Sequence, residues 1–155
     1  MKTQVLSFLM CLAALSSCTA NSGMVLTMNV GDIDEFVQFT QPVFKNQCAS
    51  PSCHGNDDRP LEIFAQQLHR VNDDERYLYT PLTDDEIMQN ALRASLFVGD
   101  LQGGESSLLR KTLPLEVGGK EHAAGSQFSA VDDRGYQALL RWVESVHEER
   151  ANDAQ

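Results

Sequence analysis

The chain has 155 residues, with 22 acidic and 12 basic side chains and a formal net charge of −10. This balance argues against a nucleic-acid-binding protein, because no basic stripe is present to neutralise phosphates. The acidic surface favours encounters with basic partners, although solubility alone would explain the charge equally well. A chain of this length makes one domain, and no internal repeat divides it.

Residues 1–17 are predicted to form a secretory signal peptide. Lys2 precedes an apolar run from Val5 to Leu15 that only Ser7 interrupts. This run of eleven residues is too short to span a bilayer, which needs about 20. It suits the hydrophobic core of a cleaved signal.

The end of this segment, Leu15-Ser16-Ser17-Cys18, resembles the lipobox of bacterial lipoproteins. The resemblance implies that the signal is cleaved before Cys18, that lipid is attached to this cysteine, and that residues 18–31 tether the domain to a membrane. Thr19 in place of aspartate is similar to the pattern that sorts lipoproteins to the outer membrane. The alternative is an ordinary signal cleaved near Ala20, which would leave no anchor.

The first predicted helix begins at Asp32 and carries Glu35 three positions later, which is the spacing of a capping box. Pro42 should kink or divide this helix, because proline has no amide hydrogen and clashes with the preceding turn. The residues that recur on one helical face are Ile33, Phe36, Val37, Thr40 and Phe44.

The run Cys48-Ala49-Ser50-Pro51-Ser52-Cys53-His54-Gly55 places two thiols close together, with a histidine directly after the second. This arrangement fits covalent attachment of one haem c, because each thiol can add across a vinyl group while the adjacent imidazole binds the iron. Four residues separate the cysteines instead of the usual two, so the loop must bulge to keep both sulfurs on one porphyrin edge. Pro51 restricts the backbone freedom of that loop.

A disulfide between Cys48 and Cys53 is the alternative, since neighbouring thiols in an oxidising compartment usually pair. Loss of Cys11 with the signal and lipidation of Cys18 would leave only these two cysteines. A disulfide gives no reason for the adjacent histidine. A zinc site is disfavoured, because no second Cys or His pair stands at finger spacing. The run therefore predicts haem, with the disulfide left open.

A second helical segment is predicted after Pro60, and a third after the capping box formed by Thr83 and Glu86. The last helix is predicted to start after Asp132 or Asp133 and to bear an apolar arc of about 160°. No segment alternates with a period of two for long enough to argue a sheet, so the fold class is all-α. The predicted apolar faces are Leu61, Phe64, Ala65 and Leu68; Ile87, Ala91, Ala94 and Val98; and Tyr136, Leu139, Leu140, Trp142, Val143 and Val146.

Residues 39–55, with Pro42-Val43-Phe44 before the Cys/Cys/His run, resemble the bacterial monohaem c-type cytochrome domains of secreted and lipid-anchored proteins. The segments Val98-Gly99-Asp100 and Ser106-Ser107-Leu108-Leu109-Arg110-Lys111 are similar to the middle part of these domains. Tyr136-x-x-Leu139-Leu140-x-Trp142-Val143 is similar to their closing helix.

This resemblance implies a cytochrome c-like fold over residues 32–150, with three to five helices around one covalently bound haem and with long loops. Residues 151–155 are then a polar tail. Cys48 and Cys53 would carry the haem, and His54 would be the proximal ligand of its iron.

The second axial ligand is harder to find, because the Met-Pro-Pro loop of many relatives is missing. The glycine-rich loop Gly118-Gly119-Lys120-Glu121-His122-Ala123-Ala124-Gly125 stands in its place. His122 lies 20 residues before Trp142, about where the resemblance would put that methionine, so His122 is the predicted distal ligand. A surface histidine in a flexible loop is the alternative. Met88 is the fallback ligand, although its helical position favours core packing.

These features predict a haem c-dependent electron-transfer protein and not an enzyme, because two protein ligands leave no open iron position for a substrate. The expected partners are redox proteins with basic docking surfaces and, through the lipid on Cys18, the outer membrane, on its periplasmic or its outer face. Two alternatives stay open. One is a five-coordinate haem enzyme or gas sensor, if His122 is not a ligand. The other is a haem-free lipoprotein whose Cys48–Cys53 disulfide supports a binding module.

Overall fold

A computed structural model describes residues 29–99 and 105–155. The predicted signal peptide, the predicted lipidation residue Cys18 and the tether up to residue 28 lie outside these ranges, as does Asp100. Within the described ranges the regular secondary structure is helical and no strand occurs, so the predicted all-α class is confirmed. None of the helices described is long and apolar enough to cross a membrane.

The first helix, α1, covers residues 33–48 and alternates between α-helical and π-helical turns. Asp32 caps it as predicted, since its carboxylate accepts a hydrogen bond from the Glu35 amide at 3.0 Å. Pro42 lies at the start of an α-helical turn that directly follows a π-helical one, so the helix changes geometry at the proline without ending. The α-helical turns are Ile33–Glu35 and Gln41–Val43, and the π-helical turns are Phe36–Thr40 and Phe44–Cys48.

The wide turns keep one face of α1 against the core. Phe36, Thr40 and Phe44 recur every four residues and are all fully buried. Because an α-helical turn holds 3.6 residues, residues four apart in a strict α-helix are offset by about 40°, and the stripe would drift slowly around the helix. The π-helical turns close over five residues and hold the stripe in place. Val37, which α-helical spacing assigns to the same face, is exposed instead.

Three further helices follow α1 in the described residues. The other two predicted caps are also confirmed: Thr83 and Glu86 form the reciprocal capping box, and the Asp133 side chain caps the last helix. The last helix reaches beyond residue 150, into the segment predicted as a polar tail. The helices are α2 at Asp84–Ser95, α3 at Ser107–Arg110 and α4 at Arg134–Asp153, and single 3-10 turns lie at Asp73–Glu75 and Leu115–Val117.

Helices α1 and α4 form the centre of the core. The rings of Phe36 and Trp142 are fully buried, with their centroids 5.0 Å apart. Trp142 also donates its indole N–H to the carbonyl of Val30 at 2.8 Å, and the Gly31 amide donates to the Glu149 carboxylate at 2.7 Å. The end of the predicted tether therefore packs onto α4.

The prediction of a helix after Pro60 is wrong. The segment 61–65 has no regular secondary structure and most of it is buried. The fully buried Asn90 side chain accepts a hydrogen bond from the Phe64 amide and donates one to the Phe64 carbonyl, both at 2.8 Å. Gln41 also donates to that carbonyl, at 3.1 Å. Side chains distant in sequence thus satisfy the backbone groups that a helix would have used.

Candidate functional site

A cavity of about 530 Å³ lies between the loop of residues 48–54, helix α3 and the loop around His122. Its volume falls within the range of about 300–1,000 Å³ that is typical of small-molecule and cofactor sites. Four of the predicted site residues line it together, namely Cys48, Cys53, His54 and His122. Its apolar lining comes from Pro60, Leu61, Phe97, Leu108, Ala123 and Ala124.

The loop that follows α1 closes on itself through its own backbone. The His54 amide donates to the Cys48 carbonyl at 3.1 Å, and the Gly55 amide donates to the Ser50 carbonyl at 3.0 Å. A side chain at Gly55 would collide with the carbonyl of Ala49, so this close approach requires glycine. The closed loop turns both cysteines and the histidine toward the same cavity.

Both cavity cysteines are free thiols. Burial, followed by the proximity of Cys53, raises the pKa of the Cys48 thiol to about 12. Cys48 therefore carries its proton at neutral pH, and the protonated thiol is a poor nucleophile and a poor metal ligand. Thiol–disulfide exchange and thiolate coordination are both disfavoured at this sulfur.

His54 has one ring nitrogen fixed by the backbone. Its Nδ1 lies 2.7 Å from the Leu61 carbonyl oxygen, so Nδ1–H donates and Nε2 is the nitrogen that can bind a ligand. The Ile63 amide donates to the His54 carbonyl at 2.7 Å and ties the same segment to the histidine. Burial lowers the pKa of His54 and outweighs the Leu61 hydrogen bond, and nearby basic side chains lower it further. At pH 7 the ring is neutral, which is the form that binds metals.

His122 faces His54 across the cavity. The ring centroids are 6.0 Å apart and the ring planes are within 10° of parallel. Offset-stacked aromatic rings have centroids about 4.5–7 Å apart, so this spacing also fits a stacked pair. A histidine nitrogen binds a metal ion at about 2 Å and the ring centre lies about 1 Å further, so two imidazoles on opposite sides of one ion would have centres roughly 6 Å apart. His122 Nδ1 lies 3.1 Å from the Gly125 carbonyl, which again points to Nε2 as the ligand atom.

Arg110, at the end of α3, holds the loop that carries His122. The Lys120 amide donates to the Arg110 carbonyl at 2.8 Å, and the Arg110 guanidinium donates to the Gly118 carbonyl at 2.9 Å. Gly118 has a φ of +89°, which L-residues rarely adopt. At Gly119 a side chain would overlap a backbone carbonyl. The glycines therefore let the loop fold tightly against its own backbone while it carries the histidine.

Two basic side chains, Arg59 and Lys111, line the cavity of this acidic chain, together with Glu121. Arg59 is held by a hydrogen bond from Nε to the Cys53 carbonyl at 3.1 Å. Apolar walls with two cations suit a largely apolar ligand that carries anionic groups. Neither basic residue was identified as a cavity residue from the sequence. Arg59 follows two aspartates outside any motif, and Lys111 lies in the segment that resembles the middle part of c-type domains, where nothing marked it as a site residue. The one available clue was that Arg59 follows Cys53 by six positions.

The remaining predicted residues lie elsewhere. Met88 is on α2 with 39% of its surface exposed, and it is not among the described residues that line the cavity. Trp142 is a core residue whose ring contacts that of Phe36 at a tilt of 59°, and it is not among the described residues that line the cavity. Cys18 lies outside the described residues.

No family model matches this chain, and neither a curated protein nor a solved structure matches it significantly. Within residues 29–99 and 105–155, no group of three or more His, Cys, Asp or Glu side chains is placed to hold a metal ion.

Proposed function

We propose that this chain is a haem c-binding electron-transfer protein, anchored in the bacterial cell envelope by lipid on Cys18. The observation that carries the proposal is the pair His54 and His122, which face each other at 6.0 Å with nearly parallel rings. Cys48 and Cys53 line the same cavity. The resemblance of the Cys/Cys/His run to bacterial c-type cytochromes suggests the same cofactor.

The residues present fit a haem in size and in chemistry. The two thiols would form thioethers with its vinyl groups, and the two imidazoles would bind its iron through Nε2. Arg59 and Lys111 would pair with its carboxylates, while the apolar walls would cover the ring.

Bound iron would supply one-electron transfer, and the protein would keep the two ligand rings in fixed orientations. The carbonyls of Leu61 and Gly125 fix the orientation of the two rings through their Nδ1 atoms. Burial keeps the His54 ring neutral and therefore able to bind. Ligation by both histidines would leave no open position, and this favours electron transfer over peroxidase chemistry or gas binding.

The decisive experiment is expression of the full chain with c-type maturation, followed by acid–acetone extraction and mass spectrometry. The protein should stay red, and its mass should exceed that of the unmodified chain by one haem. Cys53→Ala should weaken or abolish attachment, while the neighbouring Ser52→Ala should not. Haem that extracts freely would refute the thioethers. A colourless protein two mass units below the reduced chain would instead indicate the Cys48–Cys53 disulfide.

A further inference from the structure

The loop of residues 71–80, here called the aromatic loop, displays apolar side chains to water. Tyr77 is 80% exposed and Tyr79 is 78% exposed, and Val71 and Leu78 are exposed beside them in sequence. Large apolar side chains that cluster on a surface commonly mark a contact site, whereas scattered ones need no explanation. Tyrosine is favoured at such sites, because it offers a large apolar ring and a polar tip at little entropic cost.

One buried cation fixes the backbone of the aromatic loop through hydrogen bonds. Arg70, only 2% exposed, donates to the carbonyls of Thr80 and Pro81 at 3.2 and 3.1 Å and to the Glu75 carboxylate at 2.9 Å. Gln66 donates to the carbonyl of Tyr79 at 2.6 Å. A loop fixed in this way loses little conformational entropy on binding, so its exposed rings are preorganised for contact.

Acidic side chains accompany the exposed rings. Residues 72–85 contain five carboxylates and one basic side chain. The base, Arg76, pairs with Asp73 at 3.0 Å. Asp74 and, at the start of α2, Asp84 and Asp85 are exposed. This charge is complementary to a basic surface. It opposes both an anionic membrane and a second copy of a chain whose own net charge is −10.

We propose that the aromatic loop docks a basic protein, whose Arg or Lys side chains lie over the rings of Tyr77 and Tyr79. A cation over an aromatic face is attracted by the ring, and the exposed aspartates that neighbour the rings in sequence also attract it. The rings supply apolar contact area at the centre, and the carboxylates supply a polar rim. The proposal holds whether or not the cavity binds haem.

The test is site-specific photo-crosslinking of the full chain in cells of its native host. The photoreactive analogue p-benzoylphenylalanine replaces Tyr77, and in the control it replaces Val131, an exposed apolar residue outside the loop. We expect a light-dependent adduct with a basic protein at position 77 and not at position 131. Tyr79→Ser in the same chain should reduce the adduct about tenfold or more. Asp74→Asn with Asp85→Asn, or an increase in salt, should also reduce it.

Several results would overturn the proposal. One is the absence of an adduct, and another is an equal yield of adduct at both positions. A third is an adduct with lipid, polysaccharide or an acidic protein. A fourth is an adduct whose yield does not depend on the aspartates or on salt. The melting temperature of each variant verifies its fold, and Val71→Ser probes the same surface if Tyr79→Ser melts early. The visible spectrum should be the same in all variants. Failure here is thus separable from failure of the haem proposal.

Discussion

The carboxylate of Glu86 is predicted to be the most sensitive single group in the fold outside the cavity. Although Glu86 is only 2% exposed, its two oxygens accept hydrogen bonds from Arg70 at 2.9 Å each. They also accept from the amides of Val71 at 3.0 Å and Thr83 at 2.9 Å. Glu86→Gln keeps the shape but removes the charge and replaces one acceptor by a donor. Arg70 would then be a buried cation without its main counterion.

Two estimates of the cost of Glu86→Gln agree. Removing one partner of a buried ion pair costs about 3–5 kcal/mol. Burial alone would raise the pKa of Glu86, but the hydrogen bonds and charge of Arg70 and the backbone amides lower it from 4.5 to about 2. That change corresponds to about 3 kcal/mol of folding free energy. For a domain of this size, the melting temperature should fall by on the order of 10 °C.

The pH dependence follows from the direction of that pKa change. Because the folded-state pKa is depressed, the stabilisation by Glu86 is complete above the unfolded value of 4.5 and is lost as the pH falls toward 2. Glu86→Gln should therefore flatten the stability profile across this interval. Urea unfolding followed by circular dichroism at pH 7 and at several acidic pH values measures both effects.

The matched control is Asp85→Asn, an exposed acid in the same helical turn. It loses only its interaction with the helix dipole, about 0.3–1 kcal/mol. If Glu86→Gln costs no more than Asp85→Asn, the buried ion pair does not stabilise the fold.

Three further outcomes are expected. His122→Ala should convert a low-spin iron to high spin and open it to carbon monoxide in the visible spectrum, whereas Met88→Leu should change nothing; the opposite pattern would make Met88 the ligand. Cys18→Ser should move the protein from the membrane fraction to the soluble fraction and abolish palmitate labelling, and an unlabelled, soluble wild type would refute the anchor. Asn90→Ala should lower the free energy of unfolding by about 2–4 kcal/mol in urea titrations, because it leaves the Phe64 amide and the Gln41 side-chain oxygen without their buried partner, while the exposed Asn152→Ala should have little effect.

The helix starts were predictable from sequence because their causes are local. Asp32, Thr83 with Glu86, and Asp133 each act on an amide within three residues of themselves. The buried arc of α4 follows in the same way from the spacing of its apolar residues. Such signals lie within a short stretch of sequence, and an analysis of hydrophobic periodicity uses only short stretches.

The irregular segment at 61–65 could not be predicted, because its partners lie far away in the chain. Asn90 and Gln41 are 26 and 23 residues from Phe64. The apolar spacing after Pro60 still reflects burial, since Leu61, Phe64 and Ala65 are all buried. It therefore indicated the core correctly and the local conformation wrongly.

The candidate site was partly predictable, to the extent that a contiguous motif carries it. Cys48, Cys53 and His54 stand within seven positions, and a closed loop turns them to one cavity. His122 was identified by its distance from the last helix, and the structure brings it opposite His54. Arg59 and Lys111 carried no such signal.

Helix α2 links the aromatic loop to the cavity, although it forms neither. At its start, Glu86 binds the Arg70 guanidinium that holds the aromatic loop. One turn later, Asn90 binds the backbone of Phe64. The same segment supplies the carbonyl of Leu61 that orients the His54 ring.

A substitution at Glu86 should therefore disturb the aromatic loop more than the cavity. A substitution at Asn90 should disturb the orientation of His54 more than the aromatic loop. The two variants can be told apart by measuring crosslinking at position 77 and the visible spectrum in each. If both variants altered both signals equally, α2 would be acting through global stability and not as two separate supports.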